Sequence, residues 1–93
     1  MKETEKILKA LANRRRLVMI QYLRKEKEAA VGGVANHLKL SFKATSRHLN
    51  VLYSAGIVDR EQRNVEVWYR LSPTLHPIAK FISNSLAYLR RQE

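Results

Sequence analysis

Apolar residues recur every three to four positions along most of the chain and every second position over one late stretch, and this change of period predicts the order of elements. Ile7, Leu8 and Leu11 stand at helical spacing and predict a helix over 3–12, with Glu3 and Glu5 near the N-terminal end, where the macrodipole favours negative charge. Asn13 is suited to cap a second helix over about 14–26. Its inner stripe is Leu17, Ile20 and Leu23, with Val18 and Met19 at the edges. Ala29 to Gly33, containing two glycines, reads as a joint, followed by a short helix over about 32–39 that turns Val34, Ala35 and Leu38 inward.

Ser41 is the clearest cap in the chain, and it opens a helix over about 42–54 that Gly56 ends. Thr45, Leu49, Leu52 and Tyr53 lie on one face of that helix, and Lys43, Ser46, Arg47 and Asn50 on the other. Ile57 to Arg63 and Val65 to Leu71 then alternate as two strands around a polar tip at Arg63 and Asn64. Val65, Val67, Tyr69 and Leu71 share one face, and Glu66, Trp68 and Arg70 the other. Ser72 and Pro73 break the second strand. A last helix begins between Pro73 and Pro77, since proline suits only a first turn, and runs to about Arg91 with an apolar strip of Ile78, Phe81, Ile82, Leu86 and Leu89. The predicted order is α-α-α-α-β-β-α, mainly α with a β-hairpin wing. That is the outline of a winged helix-turn-helix, with residues 1–93 as one domain.

Charge gives this outline a direction. The chain carries 18 Lys and Arg against 8 Asp and Glu, a formal net charge of +10. Such an excess repels itself in a compact fold, so a polyanionic partner is the natural reason to keep it. Nucleic acid fits better than a membrane surface, because no basic amphipathic helix stands apart from the folding pattern. The first twenty residues are charged, so no signal peptide is visible, and no apolar run approaches the roughly 20 residues needed to span a bilayer. The chain has no cysteine, which excludes disulfides and thiolate metal sites and suits a reducing cytoplasm.

The major groove of DNA admits one α-helix, so a reader needs a helix polar on one side and anchored on the other, as over 42–54. Ser41 can offer its backbone N–H or hydroxyl to a phosphate at the helix start. Lys43 and Arg47 stand one turn apart on the outward face. Arg47 is the first candidate for a base edge, because its planar fork matches guanine O6 and N7. Ser46 can assist it, Lys43 can serve a base or a phosphate, Phe42 can touch a thymine methyl or cover the preceding turn, and Asn50 reaches the backbone. Arg60, Arg63 and Asn64 make a basic wing able to straddle a phosphate ridge or enter the minor groove. Arg14, Arg15 and Arg16 begin the second helix against its dipole, so helix stability does not explain them, and a phosphate contact from this group, Arg16 included, is expected.

The segments LKALANRRRLVMIQYL, VGGVANHLKLSFKATSRHLNVLYSAGIVDRE and VEVWYRLSP resemble the ArsR-type family of bacterial and archaeal winged-helix repressors over about residues 5–80. The specific part runs from Leu40 to Val58, with Ser41, Ser46, Arg47, His48, Leu49, Leu52, Gly56 and Ile57 in step. The resemblance implies a homodimer built by the first and last helices, which assigns Ile7, Leu8, Leu11, Ile78, Phe81, Ile82, Leu86 and Leu89 to the interface. It also implies binding to imperfect promoter palindromes in double-stranded DNA, with release by an inducer in many members. Phe42, Lys43, Ser46 and Arg47 match the family's base-reading positions, and His48 a position that packs or reaches the backbone. Family members often carry proline where Arg14 stands, glycine where Lys39 stands, and a polar residue where Phe42 stands.

The family's metal sites do not carry over. Its cysteine positions in the third helix correspond to Ala30 and Gly32, which cannot ligate. His76 resembles a ligand of its other site, but the accompanying positions are Thr74 and, further along the last helix, near Ala87 and Arg90. A lone imidazole beside arginines is a poor place for a dication that wants three or four N, S or O ligands. No cofactor is expected, and no effector is singled out. No nucleophile–base pair, phosphate-binding loop or dinucleotide fingerprint is present, so an enzyme is not expected. The sequence therefore predicts a dimeric DNA-binding repressor. The alternative is a dimeric winged-helix module that binds protein or structured RNA.

Overall fold

The computed structural model describes residues 1–89. Its elements are α1 (Lys2–Leu11), α2 (Arg14–Glu26), β1 (Ala29–Ala30), α3 (Val31–Leu38), α4 (Phe42–Ser54), β2 (Val58–Arg63), β3 (Glu66–Leu71) and α5 (Pro77–Leu89). The expected end of the last helix near Arg91 lies outside the described residues.

Local chemistry sets the sharpest boundaries. Asn13 Oδ1 accepts the Arg16 backbone N–H at 3.1 Å and starts α2. Ser41 Oγ accepts the Ala44 N–H at 3.0 Å and starts α4. At the other end of α4, Gly56 takes φ +74°, donating to Tyr53 O, while Ile57 donates to Leu52 O, both at 3.0 Å. This is the paired closure of a left-handed helix stop, and the accompanying apolar contact joins Leu52 and Ile57, both buried.

Two elements differ from the sequence reading. Ala29 and Ala30 form a short strand, pairing with Tyr69 and Trp68, so the hairpin becomes a three-stranded antiparallel sheet in the order β1-β3-β2. Gly32 and Gly33 sit in the first turn of α3 and not in a joint, because burial of Val31, Val34 and Ala35 outweighs the weak helix preference of glycine. The hairpin tip also moves by one residue. Arg63 pairs with Glu66, which leaves Asn64 and Val65 as a two-residue turn with Asn64 at φ +55°.

One core joins the layers. Met19, Ile20 and Leu23 of α2 meet Val34 of α3, Leu49 and Leu52 of α4, Ile57 just before β2, and Val58 and Tyr69 of the sheet. Thr45 is also fully buried, with its hydroxyl donating to Ser41 O at 2.8 Å, a bond that offsets the desolvation of this polar group. Ile7, Ala10 and Leu11 of α1 and Ala79 and Leu86 of α5 close the same core from the far side.

Candidate nucleic-acid interface

Helix α4 is clamped on one face and free on the other. Thr45, Leu49 and Leu52 are buried, while Ser41, Phe42, Lys43, Arg47 and Asn50 are exposed and Ser46 is half-buried. Tyr53, expected on the inner face, is 40% exposed and serves as a platform for a neighbouring cation. Among the described residues, neither Lys43 nor Arg47 has an ion-pair partner. The result is a capped helix whose first two turns present two unpaired cations, an exposed aromatic ring and two hydroxyls.

Residues 13–60 match the family described as bacterial regulatory protein, arsR family. The chain belongs to the arsR family. Its helix-turn-helix, α3 and α4, lies wholly within the matched span. The whole chain is similar in structure to HlyU from Vibrio cholerae N16961, with a TM-score of 0.75 and 32% identity over 98% of this chain and 91% of that one. It is also similar to the transcriptional repressor BigR from Xylella fastidiosa, with a TM-score of 0.76 and 27% identity over 99% and 88% of the two chains. A homodimeric winged helix-turn-helix DNA-binding domain from Mycobacterium bovis gives a TM-score of 0.73 and 25% identity over 98% and 78%. No protein of curated function matches the chain. This arsR-family member is thus a winged-helix transcriptional regulator.

Three other basic candidates, Arg16, Arg60 and Arg63, are engaged within the fold. Arg16 Nε donates to Ala10 O at 2.6 Å and Nη2 to Lys9 O at 3.2 Å. The guanidinium therefore closes carbonyls at the C-terminal end of α1, where a cation suits the dipole. Arg16 opposes the dipole of the helix it begins but serves the end of the helix before it. Arg14 and Arg15 remain exposed. Arg16 Nη1 also lies 3.2 Å from His48 Nδ1, and because a guanidinium can only donate, that ring nitrogen accepts. Burial, then the charges of Arg16, Arg15 and Arg47, pull the His48 pKa below its usual value and keep the imidazole neutral.

The wing tip is also neutralised. Arg63 makes two hydrogen bonds to the Glu28 carboxylate, at 2.7 and 3.2 Å, and two to Glu61 Oε1, at 2.8 and 3.0 Å. Its guanidinium carbon lies 4.8 Å from the centre of the Trp68 ring. The hydrogen bond from Arg63 holds the Glu28 carboxyl below its usual range, and Glu28 followed by Glu61 keeps Arg63 firmly charged. Arg63 is therefore a strut between the wing and the segment before β1, with its guanidinium engaged by two carboxylates. Asn64 forms the exposed turn, and its carbonyl accepts from Gln62 Nε2 at 2.8 Å. Arg60 reaches back to α4, with Nη1 donating to Asn50 Oδ1 at 3.1 Å and its guanidinium carbon 3.9 Å from the Tyr53 ring centre. Glu28, Glu61, Tyr53 and Trp68 were not singled out from the sequence as site residues. Glu61 had a signal there, since residues two apart on a strand share a face. Glu28 had none, because its proximity depends on β1.

The histidines each have a structural partner. His37 stacks on Tyr22 with ring centroids 4.2 Å apart, and His76 Nδ1 accepts the Ile78 N–H at 3.2 Å, near the start of α5. Among the described residues, no group of three or more His, Cys, Asp or Glu is placed to hold a metal ion. Arg90, one of the positions weighed for such a site, lies outside the described residues. No helix among these residues is long and apolar enough to cross a membrane.

The apolar strip assigned to a dimer interface divides in two. Ile7, Leu11 and Leu86 are buried in the protomer's own core, where they close α1 and α5 over α2 and the sheet. Ile78 and Ile82 are half-buried, while Leu8, Phe81, Tyr88 and Leu89 are exposed by 42 to 71%.

Proposed function

We propose that this arsR-family protein is a dimeric repressor that binds a two-fold symmetric promoter site in double-stranded DNA, with one α4 helix per half-site in the major groove. The single observation that carries this reading is the division of α4 into a fully buried face and an outward face with Lys43 and Arg47 unpaired among the described residues. Arg47 takes a guanine edge, Ser46 stands beside it, Lys43 takes a phosphate, and Phe42 packs on a thymine methyl or the groove wall. Ser41 brings the N-terminal end of α4 to a phosphate oxygen. Arg14 and Arg15, exposed at the start of α2, take flanking phosphates.

The exposed apolar residues of α1 and α5, Leu8, Phe81, Tyr88 and Leu89, supply the surface for a second copy. The homodimeric relative from Mycobacterium bovis supports this assembly. Two-fold pairing sets the recognition helices about one DNA turn apart, roughly 34 Å. Occupied promoter DNA is closed to polymerase, which makes repression the natural outcome, in the cytoplasm. The test is selection of bound fragments from random duplex DNA, with sedimentation of the free protein. The reading expects an inverted repeat with half-sites one turn apart and a mass twice that of the chain. Fragments with no common sequence, or preference for structured RNA over duplex DNA, contradict it.

A further inference from the structure

Asn50 has one hydrogen-bonding end fixed before any nucleic acid arrives. It stands on the exposed face of α4, one turn beyond Arg47. Arg60 approaches it from β2, where backbone pairing with Tyr69 sets the arginine's Cα. Arg60 Nη1 lies 3.1 Å from Asn50 Oδ1, and the same guanidinium sits 3.9 Å above the ring of Tyr53, three residues further along α4. The ring and the amide therefore hold the guanidinium at two points on one helix face.

A guanidinium has donors and no acceptor. Whatever faces it must accept, so the amide oxygen of Asn50 points to the wing and its amino group points away. Asparagine reads adenine through two bonds made together, the oxygen accepting from N6 and the amino group donating to N7. With its oxygen turned to Arg60 and one lone pair taken, Asn50 is poorly oriented for that pair.

We propose that Arg60 is a specificity-positioning residue: it draws the Asn50 amide oxygen toward the wing and leaves the amino group as the end offered to DNA, and it thereby weakens an adenine preference that Asn50 would otherwise carry. The inference rests on the DNA-binding reading above and adds a role for the wing within it. The wing's basic residue acts through the recognition helix, not on a phosphate. Acceptors such as guanine N7 and O6 or a phosphate oxygen suit the free amino group, and bases that need an accepting partner do not.

The experiment has two arms. In the free protein, the side-chain amide resonances of Asn50 are followed in wild type, Arg60→Lys and Arg60→Met. The proposal expects these resonances to move in Arg60→Met while the backbone amides of α4 hold their positions, with Arg60→Lys close to wild type because an ammonium still donates. Unmoved side-chain resonances in Arg60→Met overturn it whether or not DNA is bound. In the second arm, bound duplexes are selected with the same three proteins, with Asn50→Ala and with Arg60→Met/Asn50→Ala. The expected result is a roughly tenfold gain for adenine at one base step per half-site in Arg60→Met. That gain is absent in wild type and Arg60→Lys and is lost again in the double variant. An Arg60→Met profile identical to wild type overturns the proposal, as does a wild-type adenine preference that Asn50→Ala removes. Failure of wild type to bind any duplex overturns the DNA reading itself, and the resonance arm still reports the amide orientation.

Discussion

Lys43 and Arg47 on α4 and Arg60 and Arg63 on the wing carry the same formal charge, yet the two pairs meet different surroundings. Among the described residues, the α4 pair has no acidic neighbour within ion-pair distance, and its helix is held from behind by Leu49 and Leu52. On the wing, Arg63 is enclosed by Glu28, Glu61 and Trp68, and Arg60 is laid against Asn50 and Tyr53. Net charge governs the far field that draws a polyanion in. Which cations then displace counterions is decided by their partners inside the protein. The helix leaves its charge unpaired among the described residues, whereas the wing's charge is largely engaged in its own geometry.

The largest effect that separates the regions is in base recognition. Arg47→Ala should cost about 1–3 kcal/mol on the selected site and relax preference at one base pair, read from affinities for the site and its single-base variants. Equal weakening on specific and random duplexes would remove Arg47 from base reading. The next effect converts the wing into a binding surface. Glu28→Gln with Glu61→Gln frees Arg63, so affinity should rise and the log–log salt dependence should steepen by about 0.9. An unchanged slope would mean that the freed guanidinium does not reach a phosphate.

Acid should separate the regions in sequence. An unfolded imidazole takes up its proton near pH 6.5, at about the ordinary histidine value, and His48 in the fold does so only at lower pH. Between those points the unfolded chain binds more protons, so stability is full above about pH 6.5 and is lost as pH falls through the folded value. Glu28, held below the usual carboxylate range, keeps the wing's ion pairs until more acid conditions. Urea midpoints should therefore drop on going from about pH 7.5 to about pH 5, and His48→Gln should flatten that drop while wild type and variant converge in slope at higher pH. The smallest effect concerns the turn before α4. Lys39 sits at φ +55°, a left-handed position where glycine carries no side-chain penalty. Lys39→Gly should stabilise the protein by about 1 kcal/mol or less, measured by denaturant unfolding.

Much of the fold was legible because its signals are local. Asn13, Ser41 and Gly56 mark the start of α2 and both ends of α4, and each acts on backbone groups within a few residues. Lys39 and Arg14, where the family often has glycine and proline, fall on a left-handed residue and a helix's first position, which are the places those residue types suit. Strand β1 was not legible, because two alanines carry no alternation and their partners Tyr69 and Trp68 come far later in the chain. Gly32 and Gly33 misled for the opposite reason, since a local preference gave way to burial of their neighbours. At the site, the outward face of α4 followed from its period. The engagement of Arg16 and Arg63 did not, because it depends on carbonyls and carboxylates that only the fold brings near. The same holds for Ile7, Leu11 and Leu86, whose spacing marks an apolar strip without saying which part faces inward.

The division of labour between helix and wing is tested most directly by affinity for one selected duplex as a function of salt, in wild type, Lys43→Ala and Arg63→Ala. The account predicts that Lys43→Ala lowers the log–log slope by about 1 and that Arg63→Ala leaves it unchanged. A slope lowered by Arg63→Ala and untouched by Lys43→Ala would contradict it.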